Sequence, residues 1–416
     1  MRPPLSPVTP LKPLDQALAE LLAHATPLEG ADTVATFDAD GRALAQGALS
    51  PLQVPPQDNS AMDGYALRCA DVAQGGVVLP ISQRLPAGSV GGPLQPGTAA
   101  RIFTGASIPP GADAVLMQED CTALDDGQVR INAVPQLHQW IRRAGEDIAL
   151  GAEVLRAGTR LTPAELGLAA SIGLAQLAVA RRPRVALFST GDELVMPGEV
   201  APQDMRPGSI YNSNRFFLRA LLLRLGCEVT DMGIVPDRLD ATMEALRTAS
   251  AGHDLILTSG GVSVGEEDHI KPAVEALGRL DLWKIGMKPG KPFAYGHVDG
   301  PQGSAHFMGL PGNPVASFVT FLMLVRPFLL RLQGVHNVTP PSTPMRADFA
   351  RAKPDVRREF LRVRRNEAGG LDLFANQSSG VLTSTAWGDG VVDNPIGQTI
   401  AVGDTVRFIS FAELLA

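Results

Sequence analysis

Between Arg184 and about Gly334, short apolar runs alternate with amphipathic segments, and this alternation narrows the possible folds most sharply. Val185-Ala186-Leu187-Phe188 is continuously apolar, as expected of a strand covered on both faces. Asn214 to Leu225 predicts a helix, with apolar residues at 217, 218, 221, 222 and 225. Asn212 or Ser213 can cap its start, and Gly226 ends it. The pattern continues with a strand over Val229 to Val235, a helix over Leu239 to Ser250 and a strand at Leu255-Ile256-Leu257. A helix over Asp268 to Leu277, a strand over His306 to Leu310 and a helix from Pro314 to about Leu332 complete it. Strands alternating with helices imply a doubly wound α/β domain, here over 183–333.

The flanks read differently. Leu14 to Leu28 predicts a helix with Leu14, Leu18, Leu21 and Leu22 on one face, stopped by Pro27. From Pro51 to about Glu146, short valine-, leucine- and isoleucine-bearing runs are punctuated by Pro86-Ala87-Gly88, Gly91-Gly92-Pro93 and Pro96-Gly97, the pattern of a small β domain. Thr162 to Ile172 reads as a helix with Pro163 in its first turn. In the tail, Phe360 to Val363, Leu371 to Phe374 and Thr405 to Ile409 read as strands. Gly 43 and Pro 34 are consistent with so many turns.

Composition excludes several function classes. A net charge of -7 leaves no global basic field for nucleic acid or anionic lipid, so any anion must be held locally. Cys69, Cys121 and Cys227 are scattered and odd in number, which suits a reducing cytoplasm better than a disulfide framework. The histidines include no HxxxH or HExxH pair, which disfavours zinc. The proline-rich N-terminus lacks signal-peptide character, and the most apolar stretch, Phe318 to Val325, is too short to span a bilayer.

Ligands of open α/β sheets bind outside the carboxyl ends of the strands. Four polar segments fall there: Ser189 to Glu193, Asp237, Thr258 to Asp268, and Pro311-Gly312-Asn313-Pro314. The glycine-rich stretch Ser259 to Gly265 either cradles a phosphate or makes a tight strand–helix turn, and it matches neither the P-loop nor the dinucleotide fingerprint. Asp237 and Asp268 read equally as helix caps or as ligands, whereas Glu193 caps no evident helix. Lys288-Pro289-Gly290-Lys291-Pro292 puts two cations on a stiff non-helical segment, a phosphate clamp or a solvated turn. Carboxylates beside an anion are costly. Two like charges about 4 Å apart repel by about 4 kcal/mol at an effective dielectric near 20, close to three powers of ten in affinity. Such a site therefore implies bridging Mg²⁺, compensating lysines or proton transfer.

At this point a resemblance is evident. Pro56-Gln57-Asp58-Asn59-Ser60-Ala61-Met62-Asp63-Gly64-Tyr65-Ala66 resembles the N-terminal motif of the molybdopterin molybdenumtransferases, the family that includes the gephyrin E-domain. Thr104-Gly105-Ala106 with Pro110 to Val115, Gly145-Glu146-Asp147, Thr190 to Glu193, Gly260 to Gly265 with Asp268, Lys288 to Pro292 and Leu310 to Pro314 follow in the family's order, over nearly the whole chain. The resemblance implies a multidomain α/β plus β chain: a discontinuous N-terminal domain (8–50 and 148–182), an inserted β domain (51–147), the molybdopterin-binding α/β domain (183–333) and a C-terminal β-barrel-like domain (334–416). It implies a cytoplasmic homodimer whose cleft lies between the α/β domain of one subunit and the N-terminal region of the other. The implied substrates are adenylylated molybdopterin and molybdate, with Mg²⁺ as cofactor and AMP as the leaving product.

Carried over by motif, Asp58, Asp147, Glu193, Asp237 and Asp268 are the implied catalytic carboxylates, and Glu193, Asp237 and Asp268 the implied metal ligands. Thr104, Ser259, Gly260, Gly261, Ser263, Lys288, Lys291, Pro311, Asn313, Arg357 and Ser379 are the implied substrate contacts. Transient contact with the adenylyltransferase and with acceptor molybdenum enzymes follows from the same resemblance. The tail departs from the family, because Asp355-Val356-Arg357-Arg358-Glu359-Phe360 lacks the usual glycine before the arginine, leaving Arg357 or Arg358 as the cleft arginine. Two other readings share this α/β domain. An adenylyltransferase-like relative usually has a Gly-Gly-Thr-Gly loop, where this chain has Gly260-Gly261-Val262-Ser263. A molybdopterin-binding scaffold is disfavoured by the absence of a long linker and by the intact Asp58, Glu193, Asp237 and Asp268.

Overall fold

The computed structural model describes residues 11–261 and 269–415. Its centre is a six-stranded sheet in the order Glu228–Val235, Arg184–Thr190, Leu255–Ser259, Gly303–Leu310, Pro292–Gly300, Gly278–Lys284. The first four strands run parallel, and the last two add antiparallel. The sheet is therefore mixed rather than purely parallel, and the antiparallel edge was not legible as a strand pair. Val185, Ala186, Leu187 and Phe188 are all fully buried, because helices cover both faces of their strand.

The helix Asn214–Arg224 starts beside Asn212, whose side-chain oxygen accepts the N–H of Arg215 at 3.2 Å. Leu239–Ser250 has Arg238 at its N-cap position, with no hydrogen bond from that side chain to the helix, and Asp237 stands one residue before it. Of the expected helix Asp268 to Leu277, the described part is Ile270–Leu277. The run Pro314–Leu332 is helical throughout, with a π turn at Phe321–Val325. At 19 residues and mean hydropathy 1.8 it is longer than the expected apolar stretch, and by length and composition it could cross a membrane. Yet 89% of it is buried, which makes it a core helix of the α/β domain.

The first helix spans Leu14–Ala23, shorter than expected, and ends at His24 before Pro27 is reached. Leu14, Ala17 and Leu21 bury against the α/β core rather than with the N-terminal domain. The N-terminal domain itself is discontinuous. Ala31–Ala35 pairs antiparallel with Gln176–Ala180, and Ala48–Leu49 with Glu153–Leu155. These strands share a core of Leu44, Leu155, Leu161, Leu177 and Val179 with the helix Pro163–Ser171, which Thr162 and Glu165 start with a capping box. The inserted domain is a six-stranded sheet in the order Ala114–Met117, Gly64–Leu67, Ala99–Ile102, Val77–Leu85, Gln128–Ile131, Cys121–Ala123.

Arg181 joins the N-terminal domain to the central sheet. It donates to Asp254 at 2.8 and 2.7 Å, and Asp254 also accepts the Arg184 N–H at 2.8 Å. Burial pushes the Asp254 carboxyl up, but these donors outweigh it and leave the group below its usual range. Asp254→Ala is expected to cost about 2 kcal/mol in urea unfolding at neutral pH. That difference is present above the ordinary carboxylate range and shrinks as pH falls through the lowered value.

The C-terminal sheet runs Met287–Lys288, Arg358–Arg365, Gly390–Asn394, Thr405–Ser410, Thr343–Arg346, with Leu371–Leu373 also paired to Arg358–Arg365. Its first strand comes from the α/β domain. Met287 pairs with Arg358 and Lys288 with Glu359 in parallel register, and Gly286 accepts the Arg358 N–H.

Candidate active site

The parallel strands end at Thr190, Val235, Ser259 and Leu310, and the loops that follow line one cleft of about 640 Å³. That size suits a small-molecule ligand. Glu193, Asp237, Gly260, Gly261, Lys288, Lys291, Pro311, Asn313, Arg357 and Ser379 all line it. Ser259 lies in the adjoining lobe of about 550 Å³, which shares Glu193, Gly260, Gly312 and Asn313 with the cleft.

Local chemistry explains these positions. The Asp237 N–H donates to Asp192 Oδ1 at 3.2 Å, which ties together the turns after two neighbouring strands. Gly260 and Gly261 have φ of +95° and +63°, and a Cβ on Gly261 would sit 2.7 Å from Ile270 and 2.9 Å from Thr190. Only glycine fits so close to the first strand. Asn214 donates to Ser259 Oγ at 2.8 Å and to the Gly312 carbonyl at 2.7 Å, locking two strand-end loops together. Ser379 reaches the cleft because its carbonyl accepts the Val315 N–H, the first free donor of the Pro314 helix, at 2.9 Å. Arg362, 1% exposed, holds the same segment by donating to the Ser378 carbonyl at 3.3 Å.

The cationic side is more constrained than a free clamp. Lys288 Nζ lies 2.7 Å from Asp355 Oδ2 and 3.1 Å from Glu359 Oε1. Asp355 Oδ1 accepts Arg357 Nε at 3.2 Å, and Glu359 accepts Arg351 at 2.7 Å. Lys288 is thus already ion-paired, while Lys291 is exposed and has no ion-pair partner among the described residues. Arg357 lines the cleft, whereas Arg358 donates through Nε and Nη2 to Asp393, both at 2.6 Å, and through Nη1 to Asp15 at 2.8 Å. Asp355 and Glu359 went unrecognised in the sequence because their contact with Lys288 depends on the pairing of two distant strands. Gly290, at φ +110°, packs so closely on Thr320 that a Cβ would collide with its hydroxyl. Gly290→Ala is expected to cost about 1–3 kcal/mol in chemical denaturation, through backbone strain and this clash.

Three expected residues do not line the cleft of the single chain. Asp58 accepts Arg143 at 2.6 Å and the Ala144 N–H at 2.8 Å. Thr104 donates through its hydroxyl and its N–H to Asp63 at 2.7 and 2.8 Å. Asp147 is exposed on the neighbouring turn, its N–H bonded to Val54. The three sit on adjoining turns, as the bonds Gly105 N–H to Ser60 and Ile108 N–H to Asp58 show. Ser263 and Asp268 lie outside the described residues.

No group of three metal-ligating side chains occurs among the described residues. Glu193 and Asp237 still offer two carboxylates to one cleft. That donor set fits Mg²⁺, which takes one or two carboxylates and completes its shell with water and substrate phosphate.

Comparisons with known proteins agree in extent and order. Residues 12–173 match the MoeA N-terminal region (domain I and II), 186–331 a probable molybdopterin binding domain, and 343–411 the MoeA C-terminal region (domain IV). The chain is 39% identical over 414 residues to the molybdopterin molybdenumtransferase of Haemophilus influenzae, covering 97% of this chain and 99% of that one. It is 36% identical to the protein of the same name from Nostoc, over 95% and 93% of the two chains. Among solved structures, a molybdopterin biosynthesis moeA protein from Pyrococcus horikoshii superposes with a TM-score of 0.84 at 26% identity, covering 97% of this chain and all of that one.

Proposed function

This chain belongs to the molybdopterin molybdenumtransferase family, and from that premise we propose how its cleft does the work. The protein is a transferase that inserts molybdenum into molybdopterin. Its substrates are adenylylated molybdopterin and molybdate. The observation that carries this reading is one cleft lined by both carboxylates, Glu193 and Asp237, and cations, Lys288, Lys291 and Arg357. A site built only for an anion would not include the carboxylates, given their cost.

Lys291, Lys288 and Arg357 hold the oxyanion and the substrate phosphates. Gly260 and Gly261 let the backbone approach the bound molecule closely, with Pro311, Asn313 and Ser379 also lining the cleft. Glu193 and Asp237 would hold Mg²⁺, with Asp268 as the third carboxylate that the family resemblance implies. When bound there, Mg²⁺ supplies charge neutralisation for the phosphoanhydride. Each molybdate oxo group lost as water takes up two protons as the dithiolene sulfurs replace it, and in this reading the cleft carboxylates carry protons between these groups. Hydrolysis of the anhydride by water then releases AMP.

Asp58, Thr104 and Asp147 join a cleft only if a second subunit presents them, which supports a homodimer. A cytoplasmic location and transient contact with the adenylyltransferase and with acceptor molybdenum enzymes complete the proposal. The test is AMP release from adenylylated molybdopterin with Mg²⁺, with and without molybdate, alongside activation of a cofactor-free molybdenum enzyme. Molybdate-triggered AMP release with an activated acceptor supports the reading. A substrate that binds and stays intact overturns it in favour of a molybdopterin-binding scaffold.

A further inference from the structure

The cations of the cleft are not equally available. Lys288 and Arg357, both cleft-lining, share one carboxylate, Asp355, through Oδ2 at 2.7 Å and Oδ1 at 3.2 Å. Asp355 also accepts the Arg357 N–H at 3.0 Å. Glu359 contacts Lys288 too, at 3.1 Å, but it is 1% exposed and anchored by Arg351 and Asn394. Glu359 therefore keeps Lys288 in place, while the 17% exposed Asp355 stands beside the cleft lining and ties up both cleft-lining cations. Burial pushes the Asp355 carboxyl up, but the hydrogen bonds from Lys288 and Arg357 outweigh it and hold it at about 2. It is thus charged throughout the neutral range.

Building on the oxyanion reading of this cleft, we propose that Asp355 is a built-in competitor that sets how tightly the cleft holds molybdate. An oxyanion that engages Lys288 and Arg357 must either share them with Asp355 or displace it, and Glu359 retains Lys288 during the exchange. The result is a site that selects a dianion yet releases it to the dithiolene. Holding the ground state too tightly would raise the barrier to the next step.

The experiment is calorimetric titration of the full chain with sodium molybdate. Asp355→Asn removes the competing charge with little change of shape, and it is expected to lower the dissociation constant about tenfold. Asp355→Glu restores the charge and returns the constant toward that of the natural sequence. Asp355→Ser, also uncharged, is expected to behave as Asp355→Asn and serves if the asparagine variant does not fold. Unchanged or weaker binding by the folded uncharged variants overturns the proposal, because a purely structural aspartate could only lose affinity when removed. Lys291→Ala, made in the natural sequence, tests the cleft separately. If it leaves molybdate binding intact, the oxyanion reading itself has failed, whatever Asp355 does.

Discussion

Glu193→Gln is expected to lower molybdate-dependent AMP release by roughly 10²- to 10³-fold, with binding of adenylylated molybdopterin largely kept. The substitution changes charge but hardly changes shape. Glu193 is exposed on the turn after the first strand, and the backbone there is held independently by the Ile210 N–H donating to the Glu193 carbonyl at 2.8 Å. Folding should therefore be untouched, and a circular dichroism melt checks this. Asp237→Asn should show the same pattern, because it replaces the other described carboxylate of the cleft. Rate loss without binding loss points to groups that act in the transition state. Weakened binding with an unchanged rate would instead make both residues simple ligands and would sink the proton-carrying role.

Glu359→Ala is expected to cost about 2–4 kcal/mol of stability in urea unfolding and to weaken molybdate binding at the same time. The carboxylate is 1% exposed and bonded to Arg351, Lys288 and Asn394, so its loss leaves two cations short of a partner. The cost falls below the roughly 3–5 kcal/mol of a fully buried pair because Arg351 and Lys288 are 27% and 31% exposed. Burial pushes the Glu359 carboxyl up, but Arg351 and Lys288 together leave it below its usual range. The gap between the variant and the natural sequence is then full above the ordinary carboxylate range and closes as pH falls through the lowered value. A neutral effect at pH 7 would show that the network adds nothing to folding.

The parts of the fold that were legible are those in which burial leaves a continuous signature. Leu255-Ile256-Leu257 and Val185 to Phe188 read as strands because both faces of their sheet are covered. Pro292–Gly300 did not, since it contains Gly296, His297 and Asp299 and draws its regularity from pairing with Gly303–Leu310. The discontinuity of the N-terminal domain has no local trace, because Ala31–Ala35 finds its partner only at Gln176–Ala180. The family resemblance supplied it. In the cleft, residues at strand ends could be placed from topology alone. The counter-charges could not, because Asp355 and Glu359 stand far from Lys288 in sequence. The resemblance also left Arg357 and Arg358 open, and bidentate capture of Arg358 by Asp393 is visible only in three dimensions.

The two-residue strand Met287–Lys288 makes the C-terminal domain something other than a detachable cassette. One edge of its sheet is borrowed, so excising either part leaves an open edge with unpaired backbone groups on the piece that remains. The side-chain period of a strand is two, so inserting a single residue before Lys288 would turn the lysine toward the opposite face without changing any residue of the motif. In swapping domains between relatives, the natural cut therefore lies outside 287–359, and the spacing up to Lys288 should be kept as strictly as its identity.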